Sequence, residues 1–456
     1  MKTTLIRGGT VVVGQSVSQQ DLLIKGESIA AVGDLFDLYP DETVDAGGLL
    51  VLPGGVDTHV HFNDVFMNTI SVHDYYTGTL AAAHGGTTSV LDFSNQAPDA
   101  TLMSTIRAKR AEAAGKALVD WGVHPVITQP TEATLLEIPE VVKAGAPTIK
   151  CYMTYREEGL MIEQADLRRI LAQLRDAGGM LLVHAEDNDL AESGIARCLE
   201  NGLTSAIYHT ESKPLEVENK AIAQGIQMLR DVGGKLFIVH MSSAQGIKMV
   251  AAARGEGLDV LAETCTHYLV FTDDMLHRED GLKWVCSPPL RDQATQDQLW
   301  RGLRDERLAQ VTSDDAAYSW EATQYGQDRF DLCPNGMPGV EPRFNLLYSQ
   351  GVAQERISLP RFVELVATNP ARIFGMFPQK GSLLPGADAD IVLFDPTAKW
   401  TMGQDTSHSC NDWHAYEGFE ITGKIHQVYS RGDLIIDRED CLAEKGRGRY
   451  LHRRLS

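Results

Sequence analysis

The sequence lacks any uninterrupted apolar run long enough to span a bilayer, and residues 1–9 lack the apolar core of a signal peptide. Basic residues are also in deficit, because 41 Lys and Arg stand against 62 Asp and Glu, for a net charge of −21. Such acidity disfavours binding to nucleic-acid phosphates or to an anionic membrane surface. We therefore expect a cytoplasmic protein with neither a nucleic-acid nor a membrane partner.

Cysteine is scarce and irregularly placed. The 7 cysteines are odd in number and contain no C-x-x-C pair, which argues against a disulfide framework. No G-x-G-x-x-G follows the first predicted strand, so a dinucleotide-binding fold is disfavoured. The 456 residues, 43% hydrophobic and 23% charged, suffice for one large domain with a smaller companion.

A unit recurs along the middle of the chain: an amphipathic stretch, one or two glycines, then a short β-rich run. Glycine suits the position after a helix end, where φ is often positive. Together with three further candidates, these runs predict strands at residues 51–61, 87–93, 117–124, 147–153, 180–184, 235–240, 258–264 and 308–314. Strands that alternate with helices form a parallel sheet, and eight of them close into a barrel. The prediction is an α/β fold with a (β/α)8 TIM barrel.

The two ends of the chain show a different pattern, in which short strands alternate apolar and polar residues between turn signals. We expect the two ends to form one small β-sandwich domain beside the barrel. The predicted division is 1–52 with 376–436 for the β-sandwich, 53–375 for the barrel and 437–456 for a C-terminal tail. The tail is basic, and we expect it to be exposed or to contact another subunit.

Residues with metal-binding side chains fall at the C-terminal ends of the predicted barrel strands, where the catalytic groups of such barrels lie. His59 and His61 close the first strand, and residues i and i+2 of a strand point to one side, so both imidazoles can bind one ion. His184, His240 and Asp314 end the fifth, sixth and eighth strands. Four histidines and a carboxylate are too many for a single four-coordinate ion with an open position, which indicates two ions.

The fourth predicted strand contributes Lys150, which faces the barrel interior because its neighbour Ile149 faces the helices. Burial and two nearby cations favour the neutral amine. A neutral amine is reactive, and a pair of cations attracts an anion between them. Four other histidines are interpreted as ordinary core or surface residues: His84, His124, His209 and His267.

At these residues the sequence resembles the amidohydrolase superfamily, and most closely its hydantoinase/dihydropyrimidinase branch. The motifs that carry the resemblance are Pro53–His61, Gly85–Thr88, Val183–Glu186, Cys286–Arg291, Asn335–Glu341 and Thr368–Ala371. The resemblance implies a site for two divalent metal ions and indicates zinc as the metal. It also implies that His59, His61 and Asp314 bind the more buried ion. It further implies that His184 and His240 bind the second ion, and that Lys150, as N6-carboxylysine, bridges both.

The resemblance also implies an activity: the hydrolytic opening of a hydantoin or dihydropyrimidine ring by a metal-bridging hydroxide, giving an N-carbamoyl amino acid. In that reaction Asp314 is general base and then acid, and Tyr155 helps to hold the oxyanion. Ser287 and Asn335 match positions that contact the small cyclic amide substrate through their main chain. Members of the branch are commonly tetramers, which implies a homotetramer by analogy.

Two other functions remain open. The first is an allantoinase or another cyclic amide or imide hydrolase. Residues 62–68 differ from the sequence common to hydantoinases at this position and partly resemble that of allantoinases. Dihydroorotase is disfavoured, since no arginine follows His61 to hold a substrate carboxylate. The second, more remote alternative is a non-catalytic scaffold relative, although the chain retains all the ligand-type residues.

Two further features bear on the substrate and on the catalytic acid. Apolar residues of the loops after the first and fourth strands predict a pocket for a non-ionic ring substituent: Val65, Phe66, Met67, Leu160 and Met161. Asp315 stands where the branch usually has histidine, so a second negative group lies next to Asp314.

Overall fold

The computed structural model describes residues 1–455, and its chain begins with five short strands. They are β1 (Thr3–Val13), β2 (Ser16–Lys25), β3 (Ser28–Gly33), β4 (Glu42–Asp45) and β5 (Leu50–Pro53). β1 pairs antiparallel with β2 and parallel with β4 and β5. β1 and β2 both mix buried residues with more exposed ones, as strands of a sheet with one covered face do.

Eight parallel strands form the barrel, which confirms the predicted (β/α)8 fold. The barrel strands are β6 (Gly55–Val60), β9 (Thr87–Asn95), β10 (Asp120–Val126), β11 (Thr148–Tyr152), β12 (Met180–His184), β13 (Lys235–Ile238), β14 (Asp259–Cys265) and β15 (Gln310–Thr312). Between β6 and β9 the chain forms a small separate hairpin of β7 (Val65–Phe66) and β8 (Thr69–Ile70). Hydrogen bonds join them in the order β6, β9 to β15, and a parallel bridge between Val60 and Asp315 links the last strand back to the first.

The predicted strand at residues 51–61 is two strands in the structure. β5 belongs to the sheet of the chain ends and β6 to the barrel, with Gly54 between them. A Cβ at Gly54 would collide with the Thr88 side chain, so glycine permits the close passage of the chain between the two units. An apolar run alone carries no sign of this change of sheet.

Helices cover the outside of the barrel, and their apolar faces pack on its strands. The α-helices are α1 (Tyr75–His84), α2 (Leu102–Ala113), α3 (Glu132–Lys143), α4 (Gln164–Ala177), α5 (Asn188–Glu200), α6 (Tyr208–Ser212), α7 (Leu215–Val232), α8 (Ala244–Gly255), α9 (Thr266–Val270), α10 (Gln293–Arg304), α11 (Trp320–Thr323), α12 (Arg343–Leu347), α13 (Leu359–Val363) and α14 (Asn369–Ile373). Short 3-10 turns lie at Asp273–His277, Gly281–Trp284, Gln324–Gly326, Phe330–Leu332 and Gln404–Thr406, and π-helical turns at Tyr348–Val352 and Glu364–Thr368. Among residues 1–455, no helix combines the length and apolarity that a membrane crossing requires.

The two ends of the chain meet in one unit beside the barrel, as predicted, and its strands form a single sheet. Its C-terminal strands are β16 (Ile391–Met402), β17 (Phe419–Ser430), β18 (Asp433–Asp437) and β19 (Asp440–Cys441). β16 pairs antiparallel with β5, which joins both ends into a sheet of 9 strands with its own apolar core. The domain limits given above stay a prediction.

The last residues of the C-terminal tail are not the plain exposed segment that was one of the two expectations, because they pack on the chain's own barrel. Residues 448–453 run along the N-terminal end of the barrel, where Leu451 N donates to Trp121 O at 2.7 Å. Arg453 is 2% exposed, and its guanidinium donates to Thr148 Oγ1 at 2.9 Å and to Val123 O at 2.5 Å. The basic tail therefore satisfies backbone and side-chain acceptors of its own barrel.

Candidate metal centre

The structure brings all the predicted metal-binding side chains to one cleft at the C-terminal end of the barrel. The cleft is lined by His61, Lys150, His184, His240 and Asp314. His59 lies beneath it, 1% exposed. The strand-end positions account for this convergence, because parallel strands present their C-terminal ends to the same side.

His59, His61 and Asp314 form the tightest group of donors. Asp314 Oδ1 lies 2.9 Å from His59 Nε2 and 3.4 Å from His61 Nε2. The ligand atoms of these three residues all lie within 4.8 Å of one another, as one ion requires. The rings of His184 and His240 form a second group, with centroids 4.4 Å apart.

Carboxylates orient three of the four histidines from behind. His59 Nδ1 lies 2.5 Å from Glu263 Oε1, His61 Nδ1 lies 3.0 Å from Asp64 Oδ2, and His184 Nε2 lies 2.7 Å from Glu186 Oε2. In each case the opposite ring nitrogen is left for the cleft, the arrangement found behind metal-bound histidines.

Sequence reasoning missed these three carboxylates. Glu186 and Asp64 follow their histidines by two and three residues, so their spacing offered a usable signal. Glu263 is on β14, far from His59 in sequence, and only the fold reveals it.

The donor set fits a cation because several of its buried nitrogens lack a hydrogen-bond partner. His240 Nδ1 is unpartnered, and His59 Nε2 has only the carboxylate of Asp314, itself a predicted ligand, at 2.9 Å. Burial lowers the pKa of His184 and takes the pKa of His240 well below its usual range. Neutral imidazole is the form that binds metal ions, and an unpartnered buried nitrogen gains most from doing so.

Lys150 lies 1% exposed within this group, and Asp314 and Glu263 are the carboxylates whose charges reach it. Its Nζ lies 4.7 Å from the ring centroid of Phe93 and 4.8 Å from that of Tyr152. Burial lowers the pKa of Lys150 to about 8, against the opposing effect of Asp314. The amine is therefore poised to lose its proton near neutral pH, as predicted from its position.

Three site residues have strained backbones. Tyr155, His240 and Asp314 adopt positive φ angles of 65°, 37° and 53°. Such angles are costly for residues other than glycine and concentrate at functional sites. The strain supports a functional reading of all three positions.

Tyr155, Ser287 and Asn335 line the same cleft. Asn335 Nδ2 donates to Tyr155 Oη at 3.2 Å, and Ser287 also bonds the tyrosine. Burial raises the pKa of Tyr155, so its hydroxyl remains a proton donor. Lys213 Nζ donates to Ser287 Oγ at 2.6 Å, a contact that the sequence did not predict.

The predicted substituent pocket is partly present. Phe66 and Leu160 line the cleft, and the Phe66 ring lies 5.0 Å from that of Tyr155. Val65 is 67% exposed, and Met67 lines a neighbouring cavity instead. The hairpin alternates its side chains, so only part of an apolar loop can face the substrate.

One histidine left aside in the sequence reasoning lies close to the centre. His267, Cys265 and Asp314 also bring their donor atoms within 4.8 Å of one another. Burial holds the pKa of the Cys265 thiol well above its usual range. His124 and His209 bond Thr148 and Cys286 O, respectively, which suits structural histidines.

Comparisons with known proteins agree over the whole chain. Residues 50–435 match the amidohydrolase family. A D-hydantoinase of Geobacillus stearothermophilus is 36% identical, over 99% of this chain and 96% of its own, and a D-phenylhydantoinase of Escherichia coli O1:K1 is 39% identical, over 99% and 98%. The crystal structure of dihydropyrimidinase from Brevibacillus agri NCHU1002 superposes with a TM-score of 0.97 at 37% identity, over 99% of each chain.

Proposed function

The chain belongs to the amidohydrolase family, and from this premise we propose that it opens the ring of hydantoins or dihydropyrimidines. It is a metal-dependent enzyme of the cyclic amidohydrolase type. The observation that carries the proposal is the convergence of four imidazoles, Lys150 and Asp314 on one cleft. Relatives named as hydantoinases match the chain end to end, so the allantoinase alternative is not favoured. The retained ligand set speaks against a non-catalytic scaffold.

The residues divide between two cation positions. His59, His61 and Asp314 would hold the deeper ion, His184 and His240 the second, and Lys150 as N6-carboxylysine would lie between them. Imidazole and carboxylate donors suit zinc. Two such ions would supply an ionised water at neutral pH and polarise the ring carbonyl. The low pKa of Lys150 supports its reaction with carbon dioxide, because only the neutral amine attacks.

The chain's own groups would then handle the proton and the developing charge. Asp314 would take a proton at a carboxylate oxygen and deliver it to the leaving ring nitrogen. The Tyr155 hydroxyl, held by Asn335, would donate to the carbonyl oxygen as it gains charge. Ser287 and Asn335 would orient the ring, and Phe66 and Leu160 would shield the site from water. Family resemblance supports a homotetramer and the domain limits 1–52 with 376–436 and 53–375.

A substrate panel tests the function. The metal-replete protein is assayed with hydantoin, dihydrouracil, allantoin, dihydroorotate and both enantiomers of 5-isopropylhydantoin, with the N-carbamoyl product measured by mass spectrometry. We expect the highest kcat/KM for hydantoins or dihydrouracil, and faster opening of the D enantiomer because the cited relatives are D-enzymes by name. Turnover of allantoin alone would refute the proposal. Protein that holds no metal after purification from metal-replete medium, and that opens none of these rings, would refute it as well.

Removing the Tyr155 hydroxyl tests the oxyanion role. Tyr155→Phe is expected to lower kcat by about a hundredfold to a thousandfold with little change in KM, because the bond is made as charge develops. The metal content should remain that of the unmodified protein. Tyr76→Phe on helix α1, outside the cleft, is the matched control and should keep full activity. An unchanged kcat in Tyr155→Phe would contradict the role.

A further inference from the structure

Lys213 is a buried lysine that lies behind two side chains of the catalytic cleft. The residue is 3% exposed, its Nζ donates to Ser287 Oγ at 2.6 Å, and the same nitrogen lies 5.5 Å from the ring centroid of Tyr155. Among residues 1–455, its one ion pair is with Glu186, at 3.9 Å. A buried ammonium is costly unless polar groups solvate it, so Ser287 and Tyr155 are its principal partners on the side of the cleft.

The backbone of Lys213 is tied to the segment that carries Ser287. Arg291 Nη1 donates to Lys213 O at 2.7 Å, and Arg291 Nε donates to Ser242 Oγ at 3.1 Å. Arg291 is itself 6% exposed and closes the stretch that begins at Ser287. The lysine therefore contacts this stretch both through its carbonyl and through its side chain, which holds the ammonium at one place.

Helix α6, which ends just before Lys213, supports the same segment. His209 Nε2 lies 2.8 Å from Cys286 O, and Thr210 Oγ1 donates to Leu290 O at 3.3 Å. These contacts come from the long connection between β12 and β13, whose role the sequence did not reveal. The connection packs behind the wall of the cleft, and Lys213 brings a charge to that wall.

A positive charge at this place matches the charge that develops in ring opening. The Tyr155 hydroxyl donates to the carbonyl oxygen as that oxygen becomes negative, and the phenol takes up part of the negative charge through the bond. A cation near the tyrosine ring stabilises this charge, and the interaction is stronger in a buried site than in water. Ser287 and Tyr155 line the cleft, whereas Lys213 lines the cavity behind them, so the lysine acts through these two residues.

We propose that Lys213 is a positioning residue for ring opening, which holds Ser287 at the substrate ring and places a positive charge beside Tyr155. The inference rests on the proposed function and deepens it. The charge counts only when the carbonyl oxygen becomes negative, so its loss lowers kcat. The hold on Ser287 also acts on the bound substrate, so its loss raises KM.

Three substitutions of lysine test the proposal in the metal-replete protein, with the best substrate of the panel. Lys213→Met is expected to lower kcat by about tenfold to a hundredfold and to raise KM a few-fold. Lys213→Arg keeps the charge and the donors, so it should retain more of kcat than Lys213→Met. Lys248→Met, at an exposed position on helix α8, is the control and should keep full activity. Full activity in Lys213→Met, or an equal loss in both variants of Lys213, would overturn the proposal.

Combination with Tyr155→Phe separates the two contacts of the ammonium. Without the tyrosine hydroxyl there is no bond for the charge to strengthen, so adding Lys213→Met should lower kcat by less than about threefold. The rise in KM should persist, because Ser287 is still present. An equal fall in kcat with and without the hydroxyl would show that the charge does not act through Tyr155 and would overturn the proposal.

Metal content distinguishes this role from an effect through Glu186, which contacts His184. Elemental analysis should give the same metal content for Lys213→Met and the unmodified protein, and a loss of metal would overturn the proposal. The outcome for the unmodified protein separates the two proposals. If it opens none of the rings, the proposed function fails and this inference with it. If it opens them and Lys213→Met has unchanged kinetics, the role of Lys213 alone is refuted.

Discussion

Lys150→Ala is expected to abolish ring opening, with a fall in kcat/KM of roughly a thousandfold or more, and to reduce the bound metal below two ions per chain. The proposed N6-carboxylysine supplies the anion between two groups of imidazoles, and alanine offers none. Without that anion the two cations repel each other at close range, so one position loses affinity. The metal content is measured by elemental analysis of the purified protein, and activity with the best substrate of the panel.

The matched control is Lys143→Ala, an exposed lysine at the end of helix α3, which should keep both metal and activity. Short carboxylic acids such as acetate or propionate should partly restore Lys150→Ala, because they can occupy the vacated volume with a carboxylate. Rescue that depends on the acid and is absent in Lys143→Ala would support a bridging anion specifically. A fully active Lys150→Ala protein with two bound metals would contradict it.

The sequence predicted the part of the site that depends on strand ends. His59, His61, His184, His240 and Asp314 each lie within two residues of the C-terminal end of a strand. The barrel carries every strand end to the same face, so position along the chain was enough. The barrel and the union of the two chain ends were predictable for the same reason, since both follow from periodicity and connection order.

What the sequence could not predict depends on contacts between distant segments. Glu263 contacts His59 from another strand of the barrel. Asp315 contacts His73, which lies in the loop before helix α1. Arg453 is buried because its guanidinium donates hydrogen bonds to Thr148 and Val123. The composition of the tail does not distinguish such a segment from an exposed basic one. The split of residues 51–61 depends on Thr88, a partner on another strand.

Barrel closure depends on a buried arginine, and this leads to the prediction with the largest expected effect on stability. Arg343, on helix α12, is fully buried and lies 3.3 Å from Asp57 Oδ2 on β6. It also donates to Thr87 Oγ1 on β9 at 3.1 Å and to Val311 O on β15 at 3.0 Å. A single backbone bridge joins the first barrel strand, β6, to the last, β15. We therefore expect the guanidinium to stabilise this junction, which we call the seam.

Arg343→Met is expected to lower the free energy of unfolding by about 3–5 kcal/mol, because it leaves the buried Asp57 carboxylate without its cationic partner. Burial already raises the pKa of Asp57, and Arg343 is the largest opposing influence. Unfolding is followed by circular dichroism in urea, with the metal content held constant. Adding Asp57→Asn to Arg343→Met should recover part of the loss, since the amide removes the unpaired charge.

The exposed ion pair of Arg168 and Asp231 on helices α4 and α7 is the control for this experiment. Its atoms lie 2.8 Å apart with side chains 40% and 42% exposed, so Arg168→Met should cost less than about 1 kcal/mol. A loss in Arg343→Met no greater than in Arg168→Met would show that the seam does not depend on the arginine. If Arg343→Met greatly lowers the free energy of unfolding and Asp57→Asn restores it fully, the whole effect comes from the unpaired charge of Asp57. Partial recovery is the expected result, because the bonds to Thr87 and Val311 are lost in both variants.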